Sequence, residues 1–145
     1  MNANNNRLVA LFAGILGVAV IAIAVVGSRP PVTLDRGTPQ GVVQAYLQAS
    51  LARDFSAAVE LLEPGTSCKI VDFDNTYIPA NAQAALVKTA ATATSATVDV
   101  SITVPSGDLL GNGYTESHTY RLTKTTEGWR MAGIPWPLYN CGTPK

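Results

Sequence analysis

The sequence predicts an α+β fold: an N-terminal transmembrane helix followed by a small domain whose N-terminal helices pack on a curved antiparallel sheet. Three observations support this prediction. An uncharged apolar segment lies near the start of the 145-residue chain. Two segments with apolar residues at helical spacing follow it. The second half then contains segments in which apolar and polar residues alternate, as they do in strands with one buried face.

The apolar segment runs from Leu8 to Val26, and none of its 19 side chains is charged or able to form hydrogen bonds. A helix of that length spans about 28 Å, close to the thickness of the hydrocarbon core of a bilayer. We therefore expect residues 1–7 to form a cytoplasmic tail and residues 8–27 to form a transmembrane helix. The alternative is a secreted protein released by cleavage near Ala24, because Ala22-Ile23-Ala24 matches a signal-peptide cleavage pattern.

The charges that flank this segment do not orient it. Arg7 precedes it, and Arg29 and Arg36 follow it, so the positive charges on the two sides are nearly balanced. Within the segment, Ala10 and Gly14 are four residues apart, a spacing that lets two membrane helices approach closely. The segment therefore predicts membrane attachment and offers one surface for a homodimer.

The charge and cysteine content limit the classes of function. Ten basic and ten acidic residues balance, and the basic residues are scattered, which leaves no electrostatic footprint for nucleic acid. Cys68 and Cys141 lie beyond the apolar segment, without the spacing of a zinc site. We expect a disulfide that closes a loop of about 70 residues and stabilises the domain by about 4 kcal/mol. Such a bond places the domain outside the cytoplasm; the alternative is two buried thiols.

A Pro-rich stalk at residues 28–37 joins the apolar segment to a domain that we assign to residues 38–145. Pro30 and Pro31 favour an extended chain in the stalk and exclude a continuing helix. The stalk therefore separates the membrane segment from the domain.

Two helices open the domain. Thr38 is suited to cap the first, with Pro39 at its first position, and apolar residues at helical spacing continue it to about Ala52. Asp54 is suited to cap the second, and Pro64-Gly65 ends it.

The segments after the helices predict a mainly antiparallel sheet. Ala96–Val104 and Tyr114–Lys124 alternate clearly, and Trp129–Ile134 predicts a third strand. The tail Pro135–Cys141 contains two prolines, so we expect it at an edge of the sheet.

Two segments between the helices and these strands are less regular. Lys69–Tyr77 alternates briefly and predicts a short strand or an extended segment. Asn81–Ala90 is rich in alanine and predicts a short helix.

The order of these elements resembles the NTF2-like (cystatin-like α+β) families. The matching motifs are the Pro-led helix at Pro39, the pair Tyr46-Leu47, the Asp54-Phe55 junction and the Gly-Trp-Arg strand within Glu127–Ile134. A single membrane helix with such a domain is also the layout of actinobacterial Mce-associated membrane proteins. The resemblance implies a cone of helices on a curved sheet, and it carries no activity by itself.

The inward face of the hairpin is the candidate site. If its strands pair in phase, Tyr114, Glu116, His118 and Tyr120 point the same way as the apolar side of Ala96–Val104. In NTF2-like cones this side lines a pocket, and ketosteroid-isomerase-like relatives transfer protons there, so the resemblance implies a pocket with an acid beside a base. The alternative is that His118 is a hydrogen-bonded residue of the core or pocket wall.

The segment Ile70–Thr76 resembles the first motif of haloacid-dehalogenase-type phosphatases, in which Asp72 would be the nucleophile and Asp74 the acid/base. That family needs a parallel sheet and a later acidic pair for Mg²⁺, whereas here Asp108 stands alone. Two solvated carboxylates on a strand are the preferred interpretation. We expect no catalytic residues, no metal site and no cofactor.

These observations favour a noncatalytic interaction or scaffold module of the cell envelope, tethered to a membrane with its domain outside the cytoplasm. The expected partners are the membrane, through Leu8–Val26, and an envelope protein or a second copy of the chain. The alternative is a carrier of small hydrophobic ligands, or a ketosteroid-isomerase-like enzyme, that uses the inward pocket.

Overall fold

A computed structural model describes residues 32–106 and 113–142. These residues form two α-helices, a 3-10 helix and a sheet of four antiparallel strands in the order β1-β2-β3-β4. The elements are α1 (Pro39–Leu51), α2 (Phe55–Glu60), the 3-10 helix (Ile70–Asn75), β1 (Gln83–Ala91), β2 (Ser95–Val104), β3 (Tyr114–Thr125) and β4 (Gly128–Ala132).

Side-chain caps start both α-helices where the sequence predicts them. Thr38 Oγ1 accepts a hydrogen bond from the Gly41 amide at 3.2 Å. Asp54 Oδ1 accepts one from the Ala57 amide at 3.1 Å and starts α2. Both helices and their starts are confirmed, because a cap depends on residues that are close in sequence. The helix α2 ends at Glu60, earlier than the predicted end at Pro64-Gly65.

The chain before α1 is fastened to that helix by a buried amide side chain. Gln44 accepts a hydrogen bond from the Leu34 amide at 2.7 Å and donates one to the Val32 carbonyl at 2.6 Å. The described part of the predicted stalk, 28–37, therefore packs on α1 instead of extending freely away from it.

The β2–β3 hairpin forms the centre of the sheet, and its two strands pair without a break along the whole of β2. On the other side of β2, β1 pairs with a bulge between Leu86 and Lys88. The strand β4 is short and pairs only with Arg121–Thr125 of β3. Val100 lies opposite His118, so the in-phase pairing that the sequence predicts for the hairpin is confirmed.

One face of the sheet, the inner face, forms the core together with the helices. Val98, Val100 and Ile102 point to this face and are buried, whereas Thr97 lies on the opposite, outer face and is exposed. The helix α1 contacts β1, β2 and β4. The segment after α2 joins the sheet through a parallel bridge between Leu62 and Met131.

The prediction of a short helix at Asn81–Ala90 is wrong, because this segment lies in β1. Its alanines favour a helix locally. In the fold, however, pairing with β2 supplies hydrogen-bond partners for the backbone and buries Leu86 at 5% exposure. A non-local pairing has therefore outweighed an intrinsic propensity.

The prediction of a strand or extended segment at Lys69–Tyr77 is also wrong, because the 3-10 helix occupies it. Asp72 Oδ2 accepts a hydrogen bond from the Lys69 amide at 2.7 Å and so closes the first turn. Such local side-chain bonds compete with strand formation. The turn also directs Phe73 into the core, where its ring stacks on Phe55 with 4.5 Å between centroids.

The predicted fold class, with its NTF2-like cone of helices on a curved sheet, is wrong. The described chain is a small α+β unit with a four-stranded antiparallel sheet and few helices. Within residues 32–106 and 113–142, no helix is long and apolar enough to cross a membrane. The segments predicted as a tail, 1–7, and as a span, 8–27, lie outside the described residues. The motifs behind the prediction reflect capping and helix packing, which different α+β folds share.

Candidate functional site

Cys68 and Cys141 lie at disulfide distance, as the sequence predicts. Their Cα atoms are 4.5 Å apart, and Cys68 is buried. The bond joins the loop before the 3-10 helix to the tail after β4. The tail forms no strand at a sheet edge, contrary to the prediction; instead Trp136 and Leu138 pack into the core. The bond therefore holds an apolar tail against the rest of the core.

The four predicted pocket residues share the inner side of β3 but differ in environment. Tyr120 is 2% exposed, and its ring lies edge-on to that of Tyr46, with 6.2 Å between centroids. Burial raises the pKa of both phenols well above their ordinary value of 10.0, and at Tyr120 the neighbouring Tyr46 adds to the effect. Tyr120 is thus a core residue that keeps its proton at neutral pH.

The other three predicted pocket residues lie nearer to solvent. His118 is half-buried, and its Nε2 atom is 3.1 Å from Oε2 of Glu116, whose side chain is 49% exposed. The His118 ring also lies 5.6 Å from the ring of Trp136 in the tail. Tyr114 is exposed. The four residues therefore run along β3 from solvent into the core, and ligand binding by them stays a prediction.

Two clefts lie elsewhere, beside the C-terminal half of α1. One has a volume of about 550 Å³ and is lined by residues that include Leu51, Ala82 and Pro105. The other has a volume of about 290 Å³ and lies between α1 and α2, with Arg36 at its side. Neither of these two clefts is lined by the predicted pocket residues.

The carboxylates of the phosphatase-like segment have different positions from those that the sequence predicts. Asp72 closes the first turn of the 3-10 helix through the Lys69 amide, and Asp74 is exposed near the end of that helix. In the part of the chain that the structure describes, no three His, Cys, Asp or Glu side chains are grouped so that they could hold a metal ion.

The outer face of the β2–β3 hairpin is a polar surface. Thr103 Oγ1 lies 3.0 Å from Thr115 Oγ1, and the Thr119 hydroxyl donates to Asp99 Oδ1 at 2.6 Å. The alternation in the sequence predicts this polar face. What sequence reasoning missed is that, among the described residues, about half of β3 has no neighbouring strand on one edge. The available signal was Gly133, which directly follows β4 and has a φ of 77°.

No protein-family model matches this chain, and no curated protein matches it. Among solved structures, the chain is similar to a SEC-C motif containing protein from Rhodopseudomonas palustris, with a TM-score of 0.54 and 13% identity. The match covers 70% of this chain and 80% of that one. At this identity the likeness shows the fold alone. It corrects the resemblance predicted from sequence: the matched structure is a SEC-C motif protein with a small antiparallel sheet, and no NTF2-like or Mce-associated relationship is shown.

Proposed function

We propose that this protein is a noncatalytic interaction module of the cell envelope, attached to a membrane through the apolar segment Leu8–Val26 and exposing its folded domain outside the cytoplasm. The polar outer face of the β2–β3 hairpin is the observation that carries the proposal. The apolar segment contributes to it through its sequence alone.

The outer face suits a protein partner because its side chains are polar, accessible and already ordered. The β2–β3 hairpin alternates buried and accessible residues, so the hydroxyls of Thr97, Thr115 and Thr119 project from a regularly paired backbone. The hydrogen bond from Thr119 to Asp99 orders one such pair before any partner arrives. Ordering side chains in advance lowers the entropic cost of association.

The cysteine pair supports the proposed compartment. A bond between Cys68 and Cys141 persists where the surroundings are oxidising, as they are outside the cytoplasm. We expect both thiols to resist alkylation in intact cells until a reductant is added. Mass spectrometry after alkylation measures this directly, and a fully reduced pair in untreated cells would refute the proposed compartment.

Site-specific photocrosslinking in cells tests the interaction itself. A photoreactive amino acid at Thr97, on the outer face, should give a discrete adduct with an envelope protein. The matched control is the same amino acid at Tyr77, which is exposed at 76% but lies after the 3-10 helix, away from the sheet. Equal adducts at both positions, or none at Thr97, would contradict the proposal.

A second variant separates this function from ligand carriage. His118→Ala should leave the Thr97 adduct unchanged, because His118 lies on the inner side of β3. A hydrophobic small molecule that raised the Tm of the wild type but not of His118→Ala would favour a carrier instead.

A further inference from the structure

The two edges of the sheet are built differently. One edge is β1, and the other is shared between β4 and the part of β3 that β4 does not reach. Since β4 pairs only with Arg121–Thr125, residues 114–120 of β3 have no neighbouring strand on that side within the described chain. A strand edge of this kind exposes backbone groups that can pair with another chain.

The direction of the free backbone groups follows from one hydrogen bond. The Lys124 amide donates to the Thr94 carbonyl at 2.8 Å, so the backbone of Lys124 points toward the β2 side. Pairing between β2 and β3 continues without a bulge, and backbone direction alternates along an antiparallel strand. The N–H and C=O groups of Thr115, Ser117 and Thr119 therefore point to the free edge.

The β1 edge carries two features that discourage pairing. It has a bulge between Leu86 and Lys88, and Lys88 itself is exposed. Bulges, lysines and prolines are the usual protection of sheet edges. The segment Thr115–Thr119, with the sequence TESHT, has no bulge, lysine or proline and keeps a regular register with β2; its carboxylate, Glu116, lies on the inner side. Its accessibility is consistent with an edge that is covered in an assembly.

We propose that Thr115–Thr119 pairs with the same segment of a second copy of this chain, antiparallel and about a two-fold axis at Ser117. In this register Ser117 faces Ser117 of the other copy, and Thr115 faces Thr119. All of these residues direct their backbone N–H and C=O groups toward the free edge, so each pair can exchange two hydrogen bonds. The two sheets then form one continuous sheet.

Complementary hydrogen-bonding side chains favour the second copy as the occupant. Centring the pair on Ser117 places Glu116 opposite His118 of the other copy, and the reverse, at the positions where side chains lie closest. Within one chain the same side chains already lie 3.1 Å apart, so the dimer alternates acid and imidazole across both strands. A two-fold axis at Thr119 would require Arg121 to pair with Ser117 of the other copy, but the backbone of Arg121 already pairs with β4.

Sedimentation velocity of the full-length protein in mild detergent tests the proposal with two variants of one residue. Ser117→Pro removes the N–H at the two-fold axis and spares the ladder with β2, because that N–H points away from β2. Ser117→Ala keeps the N–H. We expect concentration-dependent dimers for the wild type and Ser117→Ala, and association at least about tenfold weaker for Ser117→Pro.

Two results would overturn the proposal: a wild type that stays monomeric across the concentration range, or a Ser117→Pro variant that associates as well as the wild type. The second result would move the association to another surface, such as the apolar segment. Thermal unfolding of Ser117→Pro shows whether the domain still folds.

A measurement that does not depend on proline uses crosslinking. In the dimer, Ser117→Cys places two thiols opposite each other, so a short bis-maleimide should give a covalent dimer of the purified protein. Thr97→Cys, on the outer face of β2, is the matched control and should stay monomeric. Equal crosslinking of the two variants would overturn the two-fold axis. This dimer is independent of the proposed outer-face partner, so either proposal can fail without the other.

Discussion

The two faces of the β2–β3 hairpin share one backbone and have opposite environments. On the inner face, Val98 is 0% exposed and Leu122 is 2% exposed; the neighbours Thr97 and Arg121 project into solvent. A single period-2 pattern thus separates two tasks. The inner residues determine stability because they leave water, and the outer residues are free to contact other molecules at little cost to folding.

The largest effect is expected when the disulfide bond that fastens the tail to the core is removed. The double variant Cys68→Ser/Cys141→Ser should lower the free energy of unfolding by about 4 kcal/mol, because a closed loop with a sequence separation of 73 no longer restricts the unfolded chain. Denaturant titration of the oxidised wild type and the variant measures this difference. A loss below about 1 kcal/mol would mean that Trp136 and Leu138 hold the tail without the bond.

A smaller effect is expected from substitutions at two adjacent positions of β3, one on each face of the sheet. Leu122→Ala should cost about 3 kcal/mol, since it removes buried methyl groups and leaves a cavity. Arg121→Ala should change the stability by no more than about 0.5 kcal/mol, because its side chain is exposed. Both values come from the same denaturant titration, and comparable losses would erase the proposed division between the faces.

The smallest expected effect concerns the buried phenols at high pH. The folded-state pKa of Tyr46 and of Tyr120 lies above the unfolded value of 10.0. The stability is therefore intact below pH 10 and falls as the pH rises above it, because the unfolded chain releases protons that the folded chain keeps. Each tyrosine should contribute a loss of about 1.4 kcal/mol per pH unit.

Tyr120→Phe should reduce that loss by one tyrosine's share in denaturant titrations above pH 10. The control Tyr139→Phe replaces a tyrosine that is 66% exposed and should leave the pH dependence as it is in the wild type. Identical slopes for all three proteins would show that Tyr120 ionises in the folded state as it does in the unfolded chain.

The elements that the sequence predicted correctly depend on nearby residues. Thr38 and Asp54 cap α1 and α2 through amides three residues ahead. The hairpin strands have strict alternation, so their buried faces could be assigned before their partners were known. Among the site residues, the sequence correctly placed His118 on the inner side of β3 and joined Cys68 to Cys141.

The elements that it predicted wrongly depend on distant partners. Asn81–Ala90 has a helical composition, and it forms a strand because it pairs with the edge of β2. In the 3-10 helix, Asp72 closes the first turn locally, and the contact of Phe73 with the distant Phe55 ring adds to it. The resemblance to NTF2-like domains failed for the same reason, since its motifs described local capping and packing and not how the strands join.

By itself the sequence determined the capped helices, the two faces of the hairpin, the cysteine pair and the apolar segment, because each depends on residue type and short-range spacing. The tertiary structure alone decided that β1 completes the sheet, that the tail covers the core and that β4 ends at Ala132. These features depend on which surfaces meet across long sequence separations. The edge at Thr115–Thr119 lacks a neighbouring strand among the described residues because β4 ends at Ala132 and is shorter than β3.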